Sequence, residues 1–430
     1  MEMIPLMFYL AIAIFIGTYV GIMTEKIPRV LVALIGGGLM VYCGFLNQDE
    51  AVKEFIDFNT IGLLTGMMVI VAVVKKSGFF EAMAIWAMKI TKGRPKKLLI
   101  LFAIITAIGA SVLDSVTAVL LLAPMTISLC HEFHESPYPF LITEILMANI
   151  GGTALMVGNP PNIMIGSATH LDFNDFALNL GPGVVLTMIV IVGVLIWVYR
   201  DDLHDNPLEE SVLQNLHEES AIKDKVLMKR SLIILGLTIL GFILHGPLGL
   251  QSATIALTGA TLVMIFCEVP PHDAFCSVDW ETLFFFVGLF TLVGGFEKAG
   301  VISALANWAV TLVSGNSELM TFFILWLSAL ASAFIDNIPF TATMIPLIKD
   351  MQQMMGLAHA DYMWWSLAMG ACFGGNGTII GASPNIIVTA LIAKEGMNVT
   401  FMGFMKKCFP IMVLSVAVAH LYLYVRYFLL

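Results

Sequence analysis

The sequence predicts an all-α polytopic membrane protein, an inverted 5+5 transmembrane repeat with two re-entrant helical hairpins and two broken helices. Of its 430 residues, 59% are hydrophobic and only 12% are charged, which is not the composition of a soluble globular protein. The apolar residues come in stretches of about 17 to 25, enough to cross a bilayer as a helix. The chain also aligns with itself, which indicates the repeat.

The first repeat is predicted over residues 1–199. It contains spans over 4–23, 30–46 and 177–198, a hairpin over about 97–134 and a broken helix over about 138–169. The acidic polar segment 200–229 predicts a cytoplasmic linker. The second repeat, 230–430, contains spans over 231–245, 252–266 and 402–425, a hairpin over about 318–354 and a broken helix over about 361–394.

The positions of lysine and arginine predict the topology. The densest basic cluster, residues 75–97, marks the cytoplasmic side, and the same rule places Lys26, Arg29 and the linker inside. Both termini are then predicted outside. We expect a multi-pass protein of the cell (inner) membrane, with the lipid bilayer as its main partner.

A shift of about 222 residues superimposes the two halves of the sequence. It aligns Asp114 with Asp336, and after a one-residue insertion it aligns residues 161–163 with 384–386. Five crossings before the linker require the second copy to enter the membrane from the opposite side. Such inverted repeats are typical of secondary transporters, whose broken helices meet near the middle of the bilayer.

Each predicted hairpin carries an aspartate at its tip. The apolar stretch 98–130 is too long for one span, and its only interruption is too short to reach water. The predicted tip residues are Asp114, Ser115 and Thr117 in the first copy, and Asp336, Asn337 and Thr341 in the second. A carboxylate at this depth is a candidate ion or proton site, but it also suits an N-cap, and the two roles can coexist.

The broken helices are predicted from glycines and prolines inside apolar spans. Such breaks free carbonyl oxygens for a cation and expose helix N-termini to an anion, although a plain proline kink is the alternative. The candidate binding residues are Asn149, Gly151, Gly152, Thr153, Gly158, Asn159 and Asn162, and in the second copy Gly374, Gly375, Asn376, Thr378, Gly381, Ser383 and Asn385.

A further intramembrane carboxylate, Glu144, has no counterpart in the second copy, where Leu367 stands. It is either a structural group or, with Asp114 and Asp336, a candidate for proton coupling. The six cysteines show no metal-ligand spacing, and the sequence has no nucleotide-binding loop, catalytic motif or basic face for nucleic acid. We therefore expect no enzyme, no catalytic residue, no metal site and no cofactor other than H⁺ or Na⁺ as coupling ion, and a separate ATPase subunit is not required.

Five motifs, in residues 113–117, 149–152, 159–162, 333–343 and 374–382, resemble the ArsB/NhaD/P-protein permease family of the ion transporter superfamily. The resemblance covers nearly the whole chain. It implies a secondary transporter, monomeric or homodimeric, with scaffold and transport domains and an elevator-like motion. The fold is expected to be related to that of divalent anion/sodium symporters.

Three functions remain open, in order of preference. Proton-coupled efflux of arsenite or antimonite is first, because neutral As(OH)₃ needs only amide, hydroxyl and backbone groups such as those of Asn162, Thr153, Asn376 and Ser383. A sodium/proton antiporter is second, favoured by the paired aspartates and by the expected absence of lysine and arginine from the site. An organic or inorganic anion transporter is third, because helix N-termini allow it but no arginine is expected there.

Overall fold

The computed structural model describes residues 3–24, 26–132, 135–203, 221–357, 360–397 and 399–429. Helices joined by turns make up these residues, with no strand among them, which confirms the predicted all-α fold. Seven of the described helices are long and apolar enough to cross a bilayer. Most of the predicted linker 200–229, namely 204–220, and the last two residues of the predicted first hairpin, 133–134, lie outside the described residues.

The described helices of seven or more residues are numbered here, and those of the first repeat run, in order, as α1 (Met3–Thr24), α2 (Arg29–Tyr42), α3 (Phe58–Lys76), α4 (Phe79–Thr91), α5 (Pro95–Leu113), α6 (Ser115–Glu132), α7 (Tyr138–Gly152), α8 (Pro160–Ala168), α9 (Phe173–Asn179) and α10 (Gly181–Val198). Hairpin 1 consists of α5 and α6, with only Asp114 between them. Broken helix 1 consists of α7 and α8.

The second repeat follows as α11 (Lys225–Leu248), α12 (Ser252–Phe266), α13 (Trp280–Lys298), α14 (Val301–Leu312), α15 (Ser317–Ser332), α16 (Asn337–Met355), α17 (Tyr362–Gly374), α18 (Ser383–Lys394) and α19 (Phe401–Tyr424). Hairpin 2 consists of α15 and α16. Broken helix 2 consists of α17 and α18, with two short 3₁₀ turns between them, Gly375–Gly377 and Ile379–Gly381.

Matching helices begin with the same local chemistry. Asp57 caps α3 by accepting hydrogen bonds from the N–H groups of Asn59 and Thr60, and Asp279 caps α13 by accepting one from the N–H of Thr282. These caps satisfy N–H groups that have no partner within the helix. The start of each helix is thus fixed by a residue that the repeat preserves.

Glycines let the central helices of the two repeats touch backbone to backbone. A Cβ atom on Gly66 of α3 would lie 2.5 Å from the carbonyl carbon of Ala256 in α12, and one on Gly288 of α13 would lie 2.5 Å from that of Ala33 in α2. Small residues at such crossings give membrane helices their close van der Waals packing. We call α1–α3 and α11–α13, which contact one another, the central helix group.

Each hairpin packs against the broken helix of its own repeat through a matching glycine. A Cβ on Gly151 would clash with the backbone of Ala107 in hairpin 1, and a Cβ on Gly374 would clash with the backbone of Ala329 in hairpin 2. No side chain separates the helices at these crossings, so each hairpin and its broken helix form a tight pair. We call both pairs together the hairpin group.

Candidate functional site

Asp114 forms the tip of hairpin 1. Its Oδ1 accepts a hydrogen bond from the backbone N–H of Thr117 at 2.9 Å, and its Oδ2 accepts one from the Thr117 hydroxyl at 2.7 Å. The carboxylate therefore caps α6. The backbone of Asp114 has φ +88° and ψ 155°, a region that costs a non-glycine residue about 1–3 kcal/mol. Strain of this kind persists where the surrounding structure fixes the conformation.

The tip of hairpin 1 is bonded directly to broken helix 1. The N–H of Ser115 donates to the carbonyl of Gly158 at 3.1 Å. A Cβ on Gly158 would lie 2.9 Å from the carbonyl oxygen of Ala110, so only glycine allows this approach. The predicted hairpin tip and the predicted break are therefore neighbours.

Asp336 holds the corresponding position in hairpin 2. Its Oδ1 accepts from the N–H of Ile338 at 3.0 Å, so it caps α16. Its Oδ2 lies 3.1 Å from Nη1 of Arg29 and accepts from the Ser383 hydroxyl at 3.3 Å. Both aspartates thus act as helix caps, and Asp336 also binds two other elements. An ion-binding role for either aspartate stays a prediction.

Asparagine amides close both broken helices in the same way. Nδ2 of Asn162 donates to the carbonyls of Thr153 and Leu155, both at 2.9 Å. Nδ2 of Asn385 donates to the carbonyls of Gly375 and Thr378, both at 2.7 Å. The expectation that the breaks leave free carbonyls is wrong for these four groups, because a buried carbonyl without a partner costs about 1–3 kcal/mol.

A buried cluster of amides joins the two breaks. Nδ2 of Asn149 donates to Oδ1 of Asn376 at 2.8 Å and to Oδ1 of Asn385 at 3.0 Å. Nδ2 of Asn159 donates to the carbonyl of Asn149 at 3.2 Å. Among the described residues, the buried Oδ1 atoms of Asn149 and Asn159 have no hydrogen-bond partner. Both are acceptors, suited to a cation or to the hydroxyl group of a ligand.

A cavity of about 640 Å³ brings together Asp114 and Thr117 of hairpin 1, Pro160 of broken helix 1 and Ser383 of broken helix 2. Arg29 lines it as well, and the rest of its wall includes further charged residues, namely Lys75, Lys76, Glu81, Lys223 and Asp279. An adjoining cavity of about 300 Å³ is lined by Arg29, Asp336 and Ser383 and otherwise by apolar residues and Pro28. The structure therefore brings both hairpin tips and both breaks to two adjoining cavities.

The remaining predicted residues are buried and line neither of these cavities. Two of them form hydrogen bonds to the backbone near the breaks: the Thr153 hydroxyl donates to the carbonyl of Asn149 at 2.8 Å, and the Thr378 hydroxyl donates to the carbonyl of Ala333. The residues of this kind are Ser115, Asn149, Gly151, Gly152, Thr153, Gly158, Asn159, Asn162, Asn337, Thr341, Gly374, Gly375, Asn376, Thr378, Gly381 and Asn385.

Arg29, which the sequence predicts only as a topology marker, is a site residue. The site is expected from the sequence to lack lysine and arginine, and that expectation is wrong. Nη1 of Arg29 lies 3.1 Å from Oδ2 of Asp336 and 2.9 Å from Oγ of Ser383, and the guanidinium lies 5.2 Å from the ring centroid of Phe285. No local signal marks this role, since a basic residue at the end of a span ordinarily faces the interface.

Tyr19 is a second residue that sequence reasoning missed. Its hydroxyl donates to the carbonyl of Pro339 and lies near Oγ1 of Thr343, both at 2.6 Å. Tyr19 belongs to the central helix group and its partners belong to hairpin 2. With Arg29 it forms the polar contact between the central helix group and hairpin 2.

The opposite end of α3 contains a larger cavity of about 980 Å³, lined among others by Asp57, Asn59 and Ser167. The hydroxyl of Ser167 donates to Oδ1 of Asp57 at 2.8 Å, and Nδ2 of Asn59 donates to Oγ of Ser167 at 3.0 Å. Ser167 lies in broken helix 1. A few polar bonds therefore tie the hairpin group to the central helix group at this cavity, as others do beside the cavities that Arg29 lines.

Glu144 lies apart from these cavities, buried between α7 and α6. One carboxyl oxygen accepts a hydrogen bond from the Thr126 hydroxyl, and the other, Oε2, has no partner among the described residues. Glu144 lines none of the three cavities described above. Its predicted part in proton coupling remains a prediction.

Comparison with known proteins decides the family. The model of the citrate transporter family matches residues 19–370, most of the chain. The chain belongs to the citrate transporter family. This member of the family is a secondary membrane transporter and a multi-pass membrane protein, which agrees with the predicted superfamily.

Relatives of this citrate transporter family member include an uncharacterised transporter of Mycobacterium tuberculosis, 38% identical over 97% of this chain and 99% of the relative. The 46 kDa membrane protein of Mycobacterium leprae is 36% identical over 97% of this chain and 98% of its own. The human P protein is 30% identical over 97% of this chain, which spans 60% of that longer protein.

Two solved structures share the fold at 12% sequence identity. The YdaH transporter of Alcanivorax borkumensis superimposes with a TM-score of 0.60 over 92% of this chain and 95% of its own. MtrF of Neisseria gonorrhoeae superimposes with a TM-score of 0.62 over 98% of this chain and 95% of its own. At this identity the likeness concerns the fold of the citrate transporter family member, not its substrate.

Proposed function

We propose that the protein is a cation-coupled transporter of small anions, with carboxylates such as citrate as the first substrate class to test. The observation that carries the proposal is the position of the Arg29 guanidinium, 2.9 Å from the Ser383 hydroxyl at the start of α18. Arginine binds carboxylates and other oxyanions through charge-assisted hydrogen bonds. The family's description as citrate transporters favours the same class.

The helix N-termini support an anion at broken helix 2 rather than at broken helix 1. No side chain caps either half-helix, but α18 has only one proline in its first two residues, Pro384, so the N–H of Ser383 remains at its positive dipole end. The first two residues of α8 are Pro160 and Pro161, which have no N–H to donate. Arg29 also stands beside α18, which makes broken helix 2 the favoured anion site.

The driving force we propose is an H⁺ or Na⁺ gradient, with Asp114 as a coupling residue. Asp114 lines the same cavity as Arg29 and Ser383, so a cation there lies near the substrate. Its strained backbone and its two capping bonds hold the carboxylate in one orientation. Carboxylates inside membrane proteins commonly mark the pathway of a coupling cation, whose positive charge they balance.

Efflux of arsenite or antimonite, with proton coupling, is the second candidate. The observation in its favour is the pair of buried amide oxygens of Asn149 and Asn159 that lack partners among the described residues. The hydroxyl groups of neutral As(OH)₃ would supply the missing donors. It ranks below anion transport because As(OH)₃ makes no use of a guanidinium group.

Alternating access by an elevator-like movement of the hairpin group is part of the proposal. Within the described part of the chain, the polar contacts between the two helix groups are few and involve Tyr19, Arg29, Asp57 and Asn59. Within each repeat, by contrast, hairpin and broken helix touch backbone to backbone through Gly151 and Gly374. This difference favours movement of each hairpin together with its broken helix.

The test is uptake by the purified full chain in proteoliposomes with imposed H⁺ or Na⁺ gradients. Labelled citrate should accumulate with the wild type, be lost with Arg29→Gln, and be kept with Arg230→Gln, which removes an exposed arginine that pairs with Glu268. Arsenite transport that survives Arg29→Gln, without any citrate transport, would favour the second candidate. If added sodium collapses a pH gradient and neither citrate nor arsenite is transported, the protein is a sodium/proton antiporter and both candidate functions are rejected.

A further inference from the structure

Arg29 uses only part of its hydrogen-bonding capacity. Its described hydrogen bonds run through Nη1 alone, to Asp336 and Ser383. Among the described residues, Nη2 and Nε have no hydrogen-bond partner. A guanidinium group binds a carboxylate most strongly when two N–H groups point to two oxygens. The contact between Arg29 and Asp336 therefore falls short of the strongest arrangement.

The geometry leaves Arg29 open to the cavity while Asp336 is nearly enclosed. The side chain of Arg29 is 35% exposed and that of Asp336 is 11% exposed. Among the described residues that line the adjoining cavity, Asp336 is the one carboxylate, and it lies there with Arg29 and Ser383. Arg29 lines both the 640 Å³ and the 300 Å³ cavity, whereas Asp336 lines only the 300 Å³ cavity, so a molecule in the 640 Å³ cavity meets Arg29 before the Asp336 carboxylate.

We propose that Asp336 is an internal counter-ion that occupies Arg29 when substrate is absent, and that a carboxylate or oxyanion of the substrate displaces it. This inference rests on the proposed anion transport and names the exchange that takes place at the same site. The substrate forms paired hydrogen bonds with the guanidinium, and the single bond from Nη1 to Asp336 breaks.

Asp336 retains a structural role after the exchange. Its Oδ1 still accepts from the N–H of Ile338, so α16 stays capped. The positive end of that helix also stabilises the released carboxylate. The cap of hairpin 2 thus survives the exchange, whereas loss of Arg29 itself removes the anion site.

The exchange predicts selectivity for anions. A neutral ligand has no charge with which to displace Asp336, so the ion pair stays formed and the ligand gains only uncharged-acceptor hydrogen bonds from the guanidinium. A carboxylate or oxyanion recovers a charge-assisted bond for the one it breaks. The same pair therefore admits anions and disfavours neutral solutes.

The test is binding of citrate, succinate, phosphate and sulfate to the purified full chain, measured by calorimetry and by shifts in thermal unfolding. Asp336→Asn keeps the cap but removes the competing charge, and should tighten binding of at least one anion by about tenfold or more. Arg29→Gln should abolish that binding. Arg29→Lys should weaken it, because an ammonium group cannot form the paired bonds.

Asp279→Asn is the matched control. Asp279 is also an N-cap and lines the same cavity as Arg29, without a described bond to it. If Asp279→Asn tightens anion binding as much as Asp336→Asn, general electrostatics explains the effect and the exchange is rejected. If wild type and Asp336→Asn bind equally and Arg29→Gln does not bind, the anion site stands and the exchange fails.

Two further outcomes separate this inference from the proposed function. If Arg29→Gln binds anions as well as the wild type, the anion site is elsewhere and both proposals fail. If folded wild type and folded Asp336→Asn bind none of the four anions, both also fail. Folding of each variant is checked by gel filtration before binding is measured.

Discussion

Asn162 and Asn385 close the two broken helices with the same pair of hydrogen bonds. The side-chain amide of Asn162 donates to the carbonyls of Thr153 and Leu155, and that of Asn385 donates to those of Gly375 and Thr378. Proline and glycine break the helices, and the asparagines satisfy the carbonyls that the break exposes. The unwound segments are therefore held in one conformation.

Asn162→Ala and Asn385→Ala should both destabilise the protein, because each removes two hydrogen bonds to backbone carbonyls of the break, at about 0.5–1.5 kcal/mol apiece. We expect Asn385→Ala to have the larger effect, since Asn385 also accepts from Asn149. The measurement is thermal unfolding in detergent. Asn307→Ala, on an exposed position of α14, should be neutral, and an equal loss there would contradict the argument.

Gly151→Ala and Gly374→Ala should each prevent correct assembly of a hairpin with its broken helix. The added Cβ would meet the backbone of Ala107 or Ala329 closer than 3.0 Å, and backbone cannot move aside as a flexible side chain can. Yield of monodisperse protein and uptake activity are the readouts. Gly193→Ala and Gly236→Ala, with no atom within 4 Å of the new Cβ, serve as controls and should fold normally.

Asp114→Asn should separate coupling from anion binding. The amide oxygen still accepts from the N–H of Thr117, so hairpin 1 keeps its cap, but the charge is lost. We expect citrate binding within about threefold of wild type and loss of gradient-driven uptake. Citrate exchange without a gradient, measured in the same liposomes, should persist. Full gradient-driven uptake would show that Asp114 is only a cap.

Asp114→Gly tests the backbone strain at the same tip. Glycine adopts a φ of +88° without penalty but has no side chain to cap α6. Relief of strain and loss of the cap oppose each other, so the unfolding temperature should change less than in Asp114→Ala, which loses the cap and keeps the strain. A larger loss in Asp114→Gly than in Asp114→Ala would rule out strain at this residue.

A short cross-link between the helix groups should stop transport if the hairpin group moves. Asn59 and Ser167 are suitable positions, since their side chains lie 3.0 Å apart in this conformation. Cysteines there, in a background without the six native cysteines, are bridged with a short bifunctional thiol reagent. Uptake should fall to background, while each single-cysteine protein treated alike stays active. Full activity of the bridged protein would contradict an elevator-like movement.

The hairpins and breaks could be predicted because each is marked within its own segment. An apolar stretch too long for one span, with Asp114 in the middle, indicates a hairpin, and Pro160 next to Pro161 indicates a break. The helices of the structure follow these marks closely: Ser115 begins α6 and Pro160 begins α8. Signals of this kind depend on neighbours in the chain, so a single sequence contains them.

The partners of these segments could not be predicted in the same way. Free carbonyls were expected in the breaks, but the amides of Asn162 and Asn385 occupy them, because burial penalises any carbonyl that lacks a donor. The prolines and glycines reveal that a helix breaks. They do not reveal which side chain folds back to close the gap.

The sequence by itself determined the membrane class, the inverted repeat, and the hairpins and broken helices, since apolar length, glycine, proline and matching motifs are properties of the chain. Only the tertiary structure decided what faces the cavity. Arg29 and Asp336 are 307 residues apart, and their contact depends on which helix ends meet when the repeats pack. The packing of distant helices determines that contact. It places Arg29, which the sequence predicts only as a topology marker, at the proposed anion site.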